Sequence, residues 1–361
     1  MTTPDKKINV TTLGNLAQIL PYLLGHYPDD SIAFHCPGPN FVDGPSMTCP
    51  LPDDPTEWQQ TAKAAACNFI HHAHSEGHNP DQGVIVYLCR EPRPGQTAED
   101  TAALLEPVAD WITDVLHEHR SHALQTLGLV ANRWWAFECL TEGCCEGEPL
   151  PSPDDPDSVV AHMTRLGRTP GPRTSDILKE FQPTADHDFL HVLGRTALNF
   201  KKQCATRLGR DSALDTTYAL IDIAMDRFRN GTHELGHELA ARIIVGLQDD
   251  GAVDGGLALA EDDDLPHARR LWAHLARHCA APYTQEAVPA LTLLAFVAWR
   301  QQDLITARLA LRQAITTDPD YELATGLHLG TIDGEDPREL LALARQARAD
   351  RIAGTQRPDT H

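Results

Sequence analysis

Hydrophobic spacing changes at about residue 185 of this 361-residue chain. Before that point, short apolar runs of strand length alternate with stretches at helical spacing. Beyond it, every apolar pattern recurs at three to four residues. A strand-and-helix pattern and a purely helical pattern bury different faces, so two separate cores are expected. The length agrees, since one domain takes about 100–200 residues. The predicted fold class is an α/β N-terminal half, a mixed sheet with flanking helices, followed by an all-α C-terminal half. The expected limits are residues 1–184 and 185–355, with a disordered tail over 356–361.

In the first half, Leu13, Leu16, Ile19, Leu20, Leu23 and Leu24 have helical spacing, and Gly25 is a fitting stop. Ser31–Cys36 reads as a strand, with a second strand expected near Phe41–Cys49 after the Pro37-Gly38-Pro39-Asn40 turn. Glu57–Glu76 is an amphipathic helix, Gly83–Cys89 a buried strand and Ala98–His119 a further helix. Ala123–Cys139 is a long β segment, bent or paired around Ala131-Asn132. The Pro- and Asp-rich stretch 149–156 reads as a linker or surface loop, with short helices around Ser158–Gly167 and Thr174–Phe181. In the second half, helices are expected over 186–207, 212–229, 233–247, 265–280, 286–300, 303–317, 321–330 and 335–349. Leu291, Leu294, Ala295, Ala298, Ala307, Leu311, Ala314 and Pro319 fall where a tetratricopeptide unit places its residues, predicting one such helical hairpin.

Composition narrows the function classes. With 51 acidic and 30 basic residues the net charge is −21, which opposes phosphate backbones and anionic lipid surfaces. No apolar stretch approaches the roughly 18 residues of a membrane span. An odd number of cysteines, nine, argues against a secreted disulfide framework, and the N-terminal segment is a poor signal-peptide core. A cytoplasmic protein without nucleic-acid or membrane partners is expected. Phosphate-loop, dinucleotide and serine-hydrolase motifs are absent from the sequence.

Four sets of residues carry candidate chemistry. His233-Glu234-x-x-His237 has the spacing by which two helical histidines share zinc while the Glu acts as base. The bland alternative is an exposed helix start capped by Thr232. Cys139, Cys144 and Cys145 offer three thiol ligands within seven residues, or a structural or redox cluster. Cys67, His71, His74 and His78 form a stripe that suits zinc, nickel or copper, or simply a solvated face, with Gly77 expected to end the helix before His78. Asp29, Asp30 and Ser31, with Arg133, Trp134 and Trp135, are candidates to line a small-ligand pocket, or else to cap a turn and fill the sheet.

Taken together, Pro21–Ser31 (PYLLGHYPDDS), the strand around Tyr87, Arg133-Trp134-Trp135, Cys139-x4-Cys144-Cys145 and the downstream helices with Trp299 resemble the actinobacterial domain-of-unknown-function family 4192. The resemblance runs over nearly the whole chain. It implies the two-part architecture and a cytoplasmic setting, and brings no reaction or catalytic residue. The chain departs from the family pattern at His233–His237, where a plain polar helix start is usual. The leading expectation is a non-enzymatic interaction or regulatory module whose helical half binds a protein partner. The alternatives are a zinc-dependent hydrolase and a small-ligand binder using the α/β half. Whether the chain is an enzyme, and its oligomeric state, stay open at this level.

Overall fold

A computed structural model describes residues 12–355, apart from 40, 43, 138–145, 153, 156–157 and 168. The chain divides into two compact units, Met1–Ser175 and Asp176–His361. As the spacing predicts, the first carries a mixed sheet with helices, and the second is helical throughout its described residues.

The first unit begins with α1 (Leu13–Leu24). Thr12 caps it by accepting the Asn15 N–H, and Gly25 closes it at a φ of 74° that a Cβ would resist. The strands are β1 (Ser31–His35), β2 (Ser46–Pro50), β3 (Val84–Cys89), β4 (Ala123–Val130), β5 (Arg133–Ala136) and β6 (Glu146–Pro149), ordered β2-β1-β3-β4-β5-β6. Among the described strands only β3 and β4 pair in parallel. The crossover between them is α3 (Ala98–Glu118), started by a capping box of Thr97 and Asp100.

Successive strand residues alternate between the two faces of the sheet. Ile32, Phe34, Val84, Val86 and Leu88 face one core with α2 (Trp58–Ser75) and α3, where Phe34 stacks on Phe69 at 5.1 Å between centroids. Ala33, Ile85, Tyr87 and Cys89 face the other core under α1, and the Tyr87 hydroxyl donates to the Leu16 carbonyl at 3.1 Å. The unit ends with α4 (Val159–Arg165) and α5 (Thr174–Lys179), the latter running into the second unit.

Ala131 and Asn132, at φ 49° and 61°, form a two-residue loop between paired Val130 and Arg133. Two consecutive left-handed residues suit the right-handed twist of a hairpin, so the long β segment is paired rather than merely bent. Two expectations are corrected here. The second strand is only Ser46–Pro50, since Gly38 and Phe41 form a separate bridge before it. Glu146–Pro149, at the edge of the expected linker, is a strand because β5 supplies its hydrogen bonds.

The second unit comprises α6 (His187–Gln203), α7 (Arg207–Arg229), α8 (His237–Gly246), α9 (Asp250–Leu257), α10 (Leu265–Arg277), α11 (Val288–Arg300), α12 (Leu304–Thr317), α13 (Glu322–Asp333) and α14 (Pro337–Thr355). Helix α11 is buried on every side from Val288 to Trp299, and the others present one apolar stripe each to the same core. Helices α11 and α12 form a hairpin in which Leu291, Leu294, Ala295, Ala298, Ala307, Leu311 and Ala314 are all buried. The hairpin is what the structure shows of the tetratricopeptide-like pattern.

Helix α9 was absent from the expected set because three of its eight residues are glycines. Those glycines admit close neighbours: a Cβ on Gly255 would fall 1.9 Å from the Tyr218 ring and one on Gly256 2.7 Å from Leu293. The expected helix 233–247 starts only at His237, with Gly236 rather than Thr232 at its N-cap and no side-chain cap bond.

Candidate functional site

In α/β sheets, ligands collect beyond the carboxyl ends of parallel strands. Here the ends of β3 and β4 bring Cys89–Glu91 and Leu129–Val130 side by side. A cavity of about 370 Å³ opens at that point, bounded by one face of α1, the β4–β5 hairpin, the segment Tyr27–Asp29, Leu150–Ser152, Val160 of α4 and Arg173. Its walls are largely apolar, with a few convergent polar groups.

The polar groups fall into two kinds. Asp29, with its side chain 11% exposed, accepts from Arg173 Nη1 at 2.9 Å and from the Ser175 N–H at 2.9 Å. Arg173 also reaches Glu91 Oε1 at 3.1 Å, so these charges are satisfied within the protein. Gln18 differs. It is 7% exposed, its Nε2 donates to the Pro151 carbonyl at 2.8 Å, and its Oε1 is buried with no hydrogen-bond donor. The orientation of the amide is set by chemistry, because a carbonyl partner can only accept. An unmatched buried carbonyl costs roughly 1–3 kcal/mol unless a donor reaches it.

Burial pushes the Cys89 thiol far up, reinforced by Asp29, Asp30 and Glu91, so it offers no thiolate to the cavity. Arg133 stands exposed at the rim without an ion-pair partner among the described residues.

Of the residues singled out from the sequence, Asp29 and Arg133 line this cavity. Asp30 turns to accept the Glu91 N–H at 3.2 Å and to pair with Arg93 at 3.2 Å. Ser31 is buried opposite Cys89 in the β1–β3 register. Trp134 and Trp135 do not act as a pair: as strand neighbours they point to opposite faces, Trp134 beneath α1 and Trp135 into the core of α2 and α3. Gln18, Tyr27, Glu91 and Arg173 were missed. A polar Gln18 inside a helix of buried residues was the one local signal. Arg173 lies 144 residues from Asp29 and gave none.

The metal candidates are placed as follows. His233 and Glu234 precede α8, so the shared helical face required by the zincin spacing does not form. His237 Nε2 instead lies 3.4 Å from Asp186 Oδ2, the N-cap of α6. Cys67 is exposed, 3.8 Å from His119 Nε2, and His74 bonds its own helix at the Ile70 carbonyl. His71 is exposed on α2, and His78 lies beyond the end of that helix. Among the described residues no group of three or more His, Cys, Asp or Glu could hold a metal ion. Cys139, Cys144 and Cys145 lie outside the described residues.

Among the described residues no helix is long and apolar enough to cross a membrane. No curated protein and no solved structure matches the chain. The model of the family described as "Domain of unknown function (DUF4192)" matches residues 14–338 and so spans both units, and the chain belongs to that family.

Proposed function

We propose that the α/β unit is a small-molecule-binding module whose ligand has an apolar body, a hydrogen-bond donor and an anionic end. The single observation that carries this reading is the buried, donorless Oε1 of Gln18 in the wall of a mostly apolar cavity. A ligand N–H or O–H would remove the desolvation cost there once the amide swings toward the cavity, since the oxygen itself is closed to water. Arg173 is engaged by both Asp29 and Glu91, whereas Arg133 at the rim is uncommitted and would face an anion. The reading assigns binding and no reaction, since the nearest thiol is held protonated.

Docking of a protein partner on the helical unit has less to support it. The exposed large apolar residues of this unit, Leu198, Leu208, Ile223, Leu304, Leu329, Ile332 and Leu343, are spread over five helices, α6, α7, α12, α13 and α14. A zinc-dependent hydrolase finds no three-ligand group among the described residues.

The test uses 8-anilinonaphthalene-1-sulfonate, an apolar ring system with an anionic end, titrated into the full chain by fluorescence. Val160→Trp places an indole in the cavity from its partly exposed edge. A saturable site with one probe per chain is expected, weakened about tenfold or more by Val160→Trp (about 1.4 kcal/mol or more) and severalfold by Arg133→Gln. Equal binding by wild type and Val160→Trp, both folded by circular dichroism, would sink the reading.

A further inference from the structure

The second unit holds a larger concavity of about 670 Å³, separate from the cavity described above. One wall is α10, whose Arg270, His274 and Arg277 recur at i, i+4 and i+7 and so share a face. The other walls are the segment His233–His237 and the Glu180–Asp186 stretch before α6. We propose that this groove binds a small polyvalent oxyanion of the pyrophosphate or phosphate-ester class.

Charge pairing carries the argument. The groove holds three acids, Glu180, Asp186 and Glu234, and three arginines, Arg269, Arg270 and Arg277. Glu180 is taken by Arg269, at 2.9 Å, and Arg269 is further bound to Asp303 at 2.8 Å. Asp186 caps the Phe189 N–H at 3.1 Å and sits beside His237. Arg270 touches only the ring of His267, at 2.8 Å, and Arg277 has no side-chain partner among the described residues. Two guanidinium groups are thus left facing the groove against one carboxylate without an ion pair among the described residues, Glu234.

The histidines add oriented donors. The Leu235 N–H donates to His274 Nε2 at 3.2 Å, which places the ring proton on Nδ1 as a donor with no acceptor among the described residues. His278 donates from Nδ1 to the His274 carbonyl at 2.7 Å, which fixes the orientation of its ring. Burial holds His274 down to about 4, and His278 and Arg277 push it the same way, the sign of a positive field. Phosphate oxygens suit this set, because arginine binds them by two parallel N–H bonds. A metal suits it poorly: His274 Nε2 is already an acceptor, and Phe189 lies edge-on to both His237, at 5.6 Å, and His278, at 4.6 Å.

Isothermal titration calorimetry of the full chain with inorganic pyrophosphate tests this. Saturable binding is expected, weakened about tenfold or more in Arg270→Gln/Arg277→Gln. Both positions are exposed, so the double variant should fold, and circular dichroism checks it. Affinity should fall as salt screens the charges. Val160→Trp should leave pyrophosphate binding unchanged, which separates this site from the α/β cavity. No saturable binding, or an affinity unaffected by the double substitution, overturns the proposal.

Discussion

The α/β cavity and the helical groove solve recognition in opposite ways. In the cavity the charges pair with one another, Arg173 with Asp29 and Glu91, and the unmatched group is a neutral amide oxygen. In the groove the pairing is incomplete, with the exposed Arg270 and Arg277 free of carboxylate partners among the described residues and imidazole rings around them. A neutral acceptor in an apolar wall selects by shape and by one hydrogen bond. Open cations select by charge and are sensitive to salt and to pH. The difference also follows from architecture. The cavity rests on strands buried on both faces, whereas the groove is built from helix ends and the coil before α8.

The sharpest way to break this comparison is to weaken the sheet from its far side. Phe69→Ala removes a fully buried ring stacked on Phe34, on the face away from α1. A loss of about 3–5 kcal/mol in urea unfolding is expected. If the sheet alone positions the cavity, dye affinity in the folded variant should stay within about twofold; a collapse of binding would show that the far core shapes it.

A smaller effect is read from the pH dependence of stability. His274 is held neutral by burial at about 4, against an ordinary 6.5. The unfolded chain therefore takes up this proton at higher pH than the folded chain. Stability from this group is complete above about pH 6.5 and is lost as pH falls toward 4, on the order of 3 kcal/mol in all. His35 in the first unit acts with the same sign. Burial lowers it, with Nε2 2.7 Å from the Phe41 carbonyl and Nδ1 2.9 Å from Ser46 Oγ. His274→Gln should flatten the acid limb of a stability-versus-pH curve, and an unchanged limb would remove the groove from this account.

The smallest expected effect lies at the cavity rim. Ala131 carries a Cβ at φ 49°, where glycine is at ease. Ala131→Gly should raise the free energy of unfolding by a few tenths to about 1 kcal/mol, measured by urea titration. A loss would mean that the alanine methyl packs on the cavity wall more than the backbone strain costs.

Most elements were legible from local pattern. Val84–Cys89 announces a central strand by its unbroken apolar run, and Thr12 and Gly25 bracket α1 within a residue. The failures share a cause. Glu146–Pro149 has no apolar alternation and is a strand only because β5 pairs with it, and the glycines of α9 oppose a helix until Tyr218 and Leu293 occupy the space they leave. The His233–His237 spacing implied a helical face, but the helix starts at His237 and the two-residue motif never shares one.

The sequence by itself determined where the chain changes from strand-and-helix to helix, because hydrophobic period is a local property that each element must satisfy to bury its face. It also placed Asp29 and Arg133 among the candidates. Only the tertiary structure decided that Gln18 lacks a donor, that Arg173 spans to Asp29, and that Trp134 and Trp135 part to opposite faces. Those outcomes depend on which distant groups arrive at each atom, and hydrogen-bond satisfaction and charge pairing are settled by that arrival rather than by the spacing of residues along the chain.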